Sequence, residues 1–182
     1  MIEEKYRTFW RRFWAGWIDS LLFIPLYLLN KLVWKNYQAL PLFLILCWCI
    51  IDSFSSLIYS VLMHGKLGQT LGKMATRVKV LDISEGQLTM PQAIRRDIIP
   101  LSLNLIYIVL QAPKILSGLN IMDPKTLKFD VSFYLMIFSG TGWFWAEVVT
   151  MLFNKKRRAV HDFIAGSVVI GLPQQTAPPD RR

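Results

Sequence analysis

Leu40-Pro-Leu-Phe-Leu-Ile-Leu-Cys-Trp-Cys-Ile-Ile-Asp52-Ser-Phe-Ser-Ser-Leu-Ile-Tyr-Ser-Val-Leu-Met63 carries a single charge, Asp52, near its middle. A helix needs about 20 apolar residues to cross a bilayer core. This block exceeds that length and can tilt to fit. Working outward, the pattern repeats. Toward the N-terminus a second apolar block runs from Phe13 to Asn30, and its helix can continue to Trp34. Toward the C-terminus lie Ile98 to Leu116, interrupted by Pro100, Asn104, Gln111 and Pro113, and Val131 to Phe153, which holds Gly140, Gly142 and Glu147. The third block, with its prolines and amides, reads as a kinked or re-entrant element. Hydrophobic residues are 53% of the 182 and charged residues 18%. The apolar share is high for a soluble domain, and it is gathered into spans.

Charge fills the gaps, and it is sorted. Sixteen of the 21 Lys and Arg fall in residues 1–12, 64–97 and 154–182, while five lie between the first two spans or near the end of the third and in the loop after it. By the positive-inside rule this selects four crossings with both termini in the cytoplasm; three crossings would carry Lys155-Lys156-Arg157-Arg158 outside. The net charge of +9 is therefore read as membrane topology and attraction to anionic lipid, not as a nucleic-acid footprint. Trp10, Trp14 and Trp17 recur at helical spacing where the first helix meets the headgroups. The first span follows basic residues as a secretory signal would. It holds Asp19 and Pro25 and lacks a small-residue cleavage pattern, so it is expected to remain as a membrane span. Cys47 and Cys49 point about 200° apart on a helix, so they neither pair locally nor chelate one ion.

The expected fold class is an all-α membrane protein: a four-span helical bundle (about 13–30, 40–63, 98–116 and 131–153) with a small cytoplasmic β-hairpin and an interfacial C-terminal segment. Residues 1–172 form one domain and 173–182, rich in Pro and Gln, a disordered tail. The hairpin is read from Arg77-Val-Lys-Val-Leu-Asp82, Ser84-Glu85-Gly86 and Gln87-Leu-Thr-Met90. Pro91 opens a short helix reaching Arg96. Phe163 to Leu172 is too short to span; it can lie on the surface, and Ser167 to Ile170 can add a strand to the hairpin.

Arg12-Phe-Trp-Ala15-Gly-Trp-Ile-Asp19, Gly68-Gln-Thr70-Leu-Gly72-Lys73, Arg77-Val-Lys-Val-Leu-Asp82 and Arg158-Ala-Val-His161-Asp162-Phe-Ile-Ala165-Gly166-Ser-Val-Val169 occur in that order. Together they resemble the RDD family of prokaryotic membrane proteins, named for an arginine and two aspartates. The resemblance spans about residues 10–170 and assigns these three to Arg12, Asp19 and Asp162. Met74-Ala75-Thr76 stands where the family often has a more basic run, and Ser167 where Thr is common. The resemblance implies a bacterial inner-membrane protein and, since some members are linked to sodium–proton exchange, a role in moving small cations.

Arg12, Ala15/Gly16 and Asp19 share one helical face. About 10 Å of axis separates the two charges, so they either reach each other or pair with another helix. Acids inside a membrane are costly and mark ion or proton pathways; Asp19, Asp52 and Glu147 are the candidate carriers. The alternative for each is an interhelical packing contact. Gly68 to Lys73 lacks the last Ser/Thr of a phosphate loop; its glycines suit close packing, with Lys73 meeting lipid phosphate. Lys155, Lys156, Arg157 and Arg158 are expected at lipid headgroups. His161-Asp162 is expected to cap the following helix and to pair with Arg157 or Arg158. Neither metal nor cofactor is expected, and no Ser–His–Asp or Cys–His order suggests an enzyme. The rival to transport is an accessory or assembly protein that docks an unidentified partner through residues 64–97 and 154–172. Without an internal repeat, four spans would transport only as a homo-oligomer.

Overall fold

The computed structural model describes residues 3–128 and 130–173. A 3₁₀ turn, Glu4–Tyr6, precedes α1 (Phe9–Leu22) and α2 (Ile24–Lys35). Another, Tyr37–Ala39, leads into α3 (Leu42–Leu67), followed by α4 (Leu71–Ala75) and β1 (Val78–Asp82). Then come α5 (Met90–Arg96), α6 (Ile98–Leu116), α7 (Pro124–Leu127), α8 (Val131–Phe153), α9 (Val160–Ala165) and β2 (Ser167–Gly171). Among the described residues three helices, α3, α6 and α8, are long and apolar enough to cross a membrane, and α1–α2 makes a fourth if the bent pair counts as one span. Between 6% and 11% of their most apolar windows is buried inside the protein. The apolar side chains therefore point outward, which suits lipid and not water.

The first apolar block forms a bent helix pair. α1 and α2 meet at 47° across Phe23. Pro25 lacks the N–H that would reach the carbonyl of Leu21, and its ring crowds that carbonyl. The chain tightens locally, with the Phe23 N–H bonded to Ser20 O at 3.1 Å. The third span is the reverse case. No re-entrant break appears: α6 is one continuous helix with Pro113 inside its last turn, held to α3 where Asn104 donates to Ser53 O at 3.1 Å.

The hairpin expectation is corrected. β1 pairs antiparallel with β2, Val78 opposite Gly171 and Asp82 opposite Ser167. Gln87 makes only an isolated bridge to Leu81. Two residues later Thr89 and Gln92 form a capping box that starts α5, so this backbone serves a helix. The strand expected over Ser167 to Ile170 is present as β2, paired with β1, and only the surface placement of the C-terminal segment is corrected. It does not lie on the membrane surface: Val168 and Val169 are buried, and Val169 joins Val78, Val80, Leu88 and Ala93 in a small core. Only Phe163 and Ile164 of α9 present exposed apolar surface. Apart from Pro173, the expected tail lies outside the described residues.

Candidate functional site

The α1 face carrying Arg12, Ala15 and Asp19 turns inward, while Trp10, Trp14 and Trp17 are exposed on the other side. Against it lies α4, brought in very close. A Cβ on Gly72 would sit 2.1 Å from Ala15 O and 2.9 Å from Asp19 Cγ, so only glycine fits. Gly68 turns the chain toward this contact with φ +68°, its N–H closing α3 on His64 O. Asp19 then fastens the junction. Its Oδ1 accepts from the Tyr59 hydroxyl and the Gly72 N–H, both at 2.8 Å, and its Oδ2 from the Thr70 hydroxyl at 2.6 Å.

Arg12 does not reach Asp19. Its Nη2 lies 2.8 Å from Asp162 Oδ2, and Arg96 Nη1 lies 2.6 Å from Asp162 Oδ1. Asp162 is 0% exposed and also accepts from the Ala159 N–H, closing the first turn of α9. Burial opposes its ionisation, but the guanidiniums of Arg12 and Arg96 prevail and hold the carboxyl well below the usual range. The expected pairing with Arg157 or Arg158 is therefore wrong. Arg158 donates to the Asp162 backbone oxygen instead, and Arg157 to the Met151 and Leu152 carbonyls at the end of α8. Lys156 donates to Ile83 O, and Lys155 is exposed. Three of the four residues expected at headgroups are thus turned to the protein's own carbonyls.

His161 joins this cluster to the apolar helix α8. Its Nδ1 contacts Glu147, and its Nε2 faces Arg96 Nη2 at 2.6 Å and Arg12 Nη2 at 3.1 Å. A guanidinium only donates, so Nε2 must accept and the proton belongs on Nδ1, directed at the Glu147 carboxylate. Burial and Arg96 push His161 below its ordinary range, consistent with a neutral ring. A second chain of polar groups runs alongside. Lys73 Nζ meets His64 Nε2 at 2.5 Å, His64 Nδ1 meets the Ser60 hydroxyl at 3.2 Å, and that hydroxyl donates to Asp97 Oδ2 at 2.8 Å. Lys73 does not face lipid phosphate, as the sequence suggested. Burial, with Arg96 and Arg12 nearby, pushes it down to about 7.

These groups wall a cavity of about 420 Å³ between α1 and α8, lined by Arg12, Asp19, Lys73, Arg96, Glu147 and His161 beneath aromatic side chains. Two of the three candidate carriers, Asp19 and Glu147, line one chamber. Asp52 does not. It lies farther along α3 beside a separate apolar pocket. Among the described residues, no group of three His, Cys, Asp or Glu could hold a metal ion.

Sequence reasoning missed Arg96, His64, Tyr59 and Ser167 as members of the site. Arg96 carried a signal: it lies three positions after Ala93 on the buried face of α5, opposite exposed Arg95. Ser167, where Thr is common in the resembled family, keeps the hydroxyl that accepts from Arg96 at 3.0 Å and donates to Asp162 at 3.2 Å.

The arginine and two aspartates of the motif thus hold α1, α4, α5 and α9 together at one end of the bundle, and the RDD family model matches residues 6–166. The chain belongs to the RDD family. It is a multi-pass membrane protein. No curated protein and no solved structure matches it.

Proposed function

We propose that this RDD protein resides in a bacterial cytoplasmic membrane with both termini inside, and that its chamber exchanges protons against a small cation. The observation that carries this reading is Glu147. It is the one acid of a long apolar helix, and it meets His161 at the wall of a cavity instead of in a lipid-facing or packing position. A cation held at the Glu147 carboxylate adds positive charge to the cavity that Lys73 also lines, and the Lys73 ammonium gives up its proton in exchange, so one charge enters as one leaves. Lys73, held near 7, lets the chamber change charge close to physiological pH. Asp19 plays a different part: both of its oxygens are engaged, so it fixes the chamber's floor. The 16-to-5 partition of basic residues supports the orientation. Four crossings without a repeat favour a homo-oligomer as the working unit.

The test is cation-dependent proton flux in proteoliposomes, comparing wild type with Glu147→Gln. Wild type should acidify or alkalinise the lumen against an imposed Na⁺ or K⁺ gradient, and the variant should lose at least tenfold of that rate. Well-folded wild type that moves no protons with any cation would sink the reading.

A second reading, an accessory protein docking a partner, is favoured by one observation. The Arg12–Asp162–Arg96 cluster is fully paired and stiffens the end of the bundle. Crosslinking from Lys66 and Lys79 should then capture one reproducible partner, while a random set of neighbours would count against it.

A further inference from the structure

Asp52 poses a question that the chamber does not answer. It lines a separate pocket of about 230 Å³ between α3 and α6, in the half of the bundle away from the arginine cluster. Trp34, Trp48 and Tyr107 supply aromatic walls, and Cys49, Ile108 and Ala112 contribute to the remaining, largely apolar lining. Among the described residues nothing donates a hydrogen bond to the Asp52 carboxylate. A second acceptor is also unanswered: Gln111, 1% exposed, lines the same pocket, and its Oε1 is buried without a partner. Buried acceptors without donors are rare and costly.

Two of the nearby donors are committed elsewhere. The Trp48 indole N–H goes to Asn30 Oδ1 at 2.9 Å. The Gln111 amide nitrogen goes to Asp130 at 3.1 Å and Ser132 at 3.0 Å. Apart from the Ser53 and Tyr107 hydroxyls, the lining offers acceptors and π-faces. A hard metal ion would want six or more oxygens, which this lining lacks. An anion would meet Asp52. What fits is a group bearing positive charge and N–H bonds on an apolar body, held by a carboxylate, an amide oxygen and aromatic faces.

We infer that the pocket beside Asp52 binds a small lipophilic ammonium ion, a protonated aryl- or alkylamine, with its N–H groups on Asp52 and Gln111 and its apolar body among Trp34, Trp48 and Tyr107. The volume, somewhat below the roughly 300–1,000 Å³ of drug-sized sites, selects a compact ligand with one ring or a short chain. The site is distinct from the chamber and does not depend on the transport reading.

Binding of labelled phenethylamine, compared with its uncharged isostere propylbenzene, tests this on the full chain in nanodiscs, with empty nanodiscs as the blank and circular dichroism as the fold check. Wild type should hold the amine saturably and at least tenfold more tightly than propylbenzene. Asp52→Asn should collapse that preference to near one, and Asp52→Glu should restore part of it. Ala112→Phe, which keeps the carboxylate but fills the space, should abolish binding of both ligands. Folded wild type that holds no amine above the blank would overturn the proposal. So would an equal preference for the two ligands, or a preference that survives Asp52→Asn. Amine binding retained in folded Ala112→Phe would place the ligand elsewhere and overturn it as well.

Discussion

Glu147 and Asp52 begin as equals: each is the lone acid of a long apolar helix, and hydropathy treats them alike. Their surroundings differ. Glu147 faces a cavity that α1, α4, α5 and α9 build against α8, where α9 brings His161 against it and α1 and α5 bring arginines to His161. Asp52 faces a mostly aromatic and aliphatic lining and, among the described residues, accepts no side-chain hydrogen bond. The difference teaches that an intramembrane acid's role is set by what the re-entering chain delivers to it. The motif-bearing segments all converge on one end of the bundle, and the other half keeps an unmet carboxylate.

The sharpest way to break this contrast is to remove one member of the paired cluster. Asp162→Ala leaves Arg12 and Arg96 buried without their anion, and breaking such a pair costs about 3–5 kcal/mol. Chemical denaturation in detergent should show a loss of that size. A loss under about 1 kcal/mol would mean the cluster is not the structural centre of this end. Gly72→Ala comes next. The new Cβ meets a backbone carbonyl that cannot swing aside, so overpacking of about 1–3 kcal/mol is expected. Gly140→Ala, with open space around it, serves as the control and should change stability by less than about 0.5 kcal/mol.

A pH series sharpens the contrast further. Lys73 has a lowered folded value near 7 against an ordinary 10.5, so between those limits the unfolded chain binds more protons than the folded one. Stability should therefore rise as pH climbs from about 7 to about 10.5. Lys73→Met should flatten that rise, whereas a slope unchanged by the substitution would mean Lys73 stays charged in the folded protein. The smallest expected effect is Tyr59→Phe. It removes one of the three donors on Asp19 and the acceptor for the Leu71 N–H, a loss of about 0.5–1.5 kcal/mol in the same denaturation assay.

Much of this was legible in the sequence, and the misses share a cause. The spans, the Trp-bearing outer face of α1 and the inward Arg12–Ala15–Asp19 stripe follow from periodicity alone. Periodicity assigns a face, not a partner, so Arg12 was equally compatible with Asp19 and with a distant acid. Asp162, 150 positions away, is the one it meets. The β-hairpin failed for the same reason. Alternation in Val78 to Asp82 identifies a strand, but β2 arrives from beyond α8, and the nearer candidate was drawn into the cap of α5. Lys73 was read as a surface cation because a charged residue near a membrane usually snorkels. The close approach enforced at Gly72 turns it inside instead. Pro25 and Pro113 reversed their expected weights: the first breaks a span, and the second sits in the final turn of α6, where little helix remains to be bent.

The most direct test of the account is proton release on cation binding. Detergent-solubilised protein in weak buffer with a pH indicator would be titrated with Na⁺ or K⁺. Near pH 7, where Lys73 is partly protonated, the account predicts release of up to one proton per site filled in wild type, and none in Glu147→Gln. Saturable cation binding without proton release, or release that persists undiminished in Glu147→Gln, would contradict the assignment of Glu147 as the cation's carboxylate and Lys73 as the source of the proton it displaces.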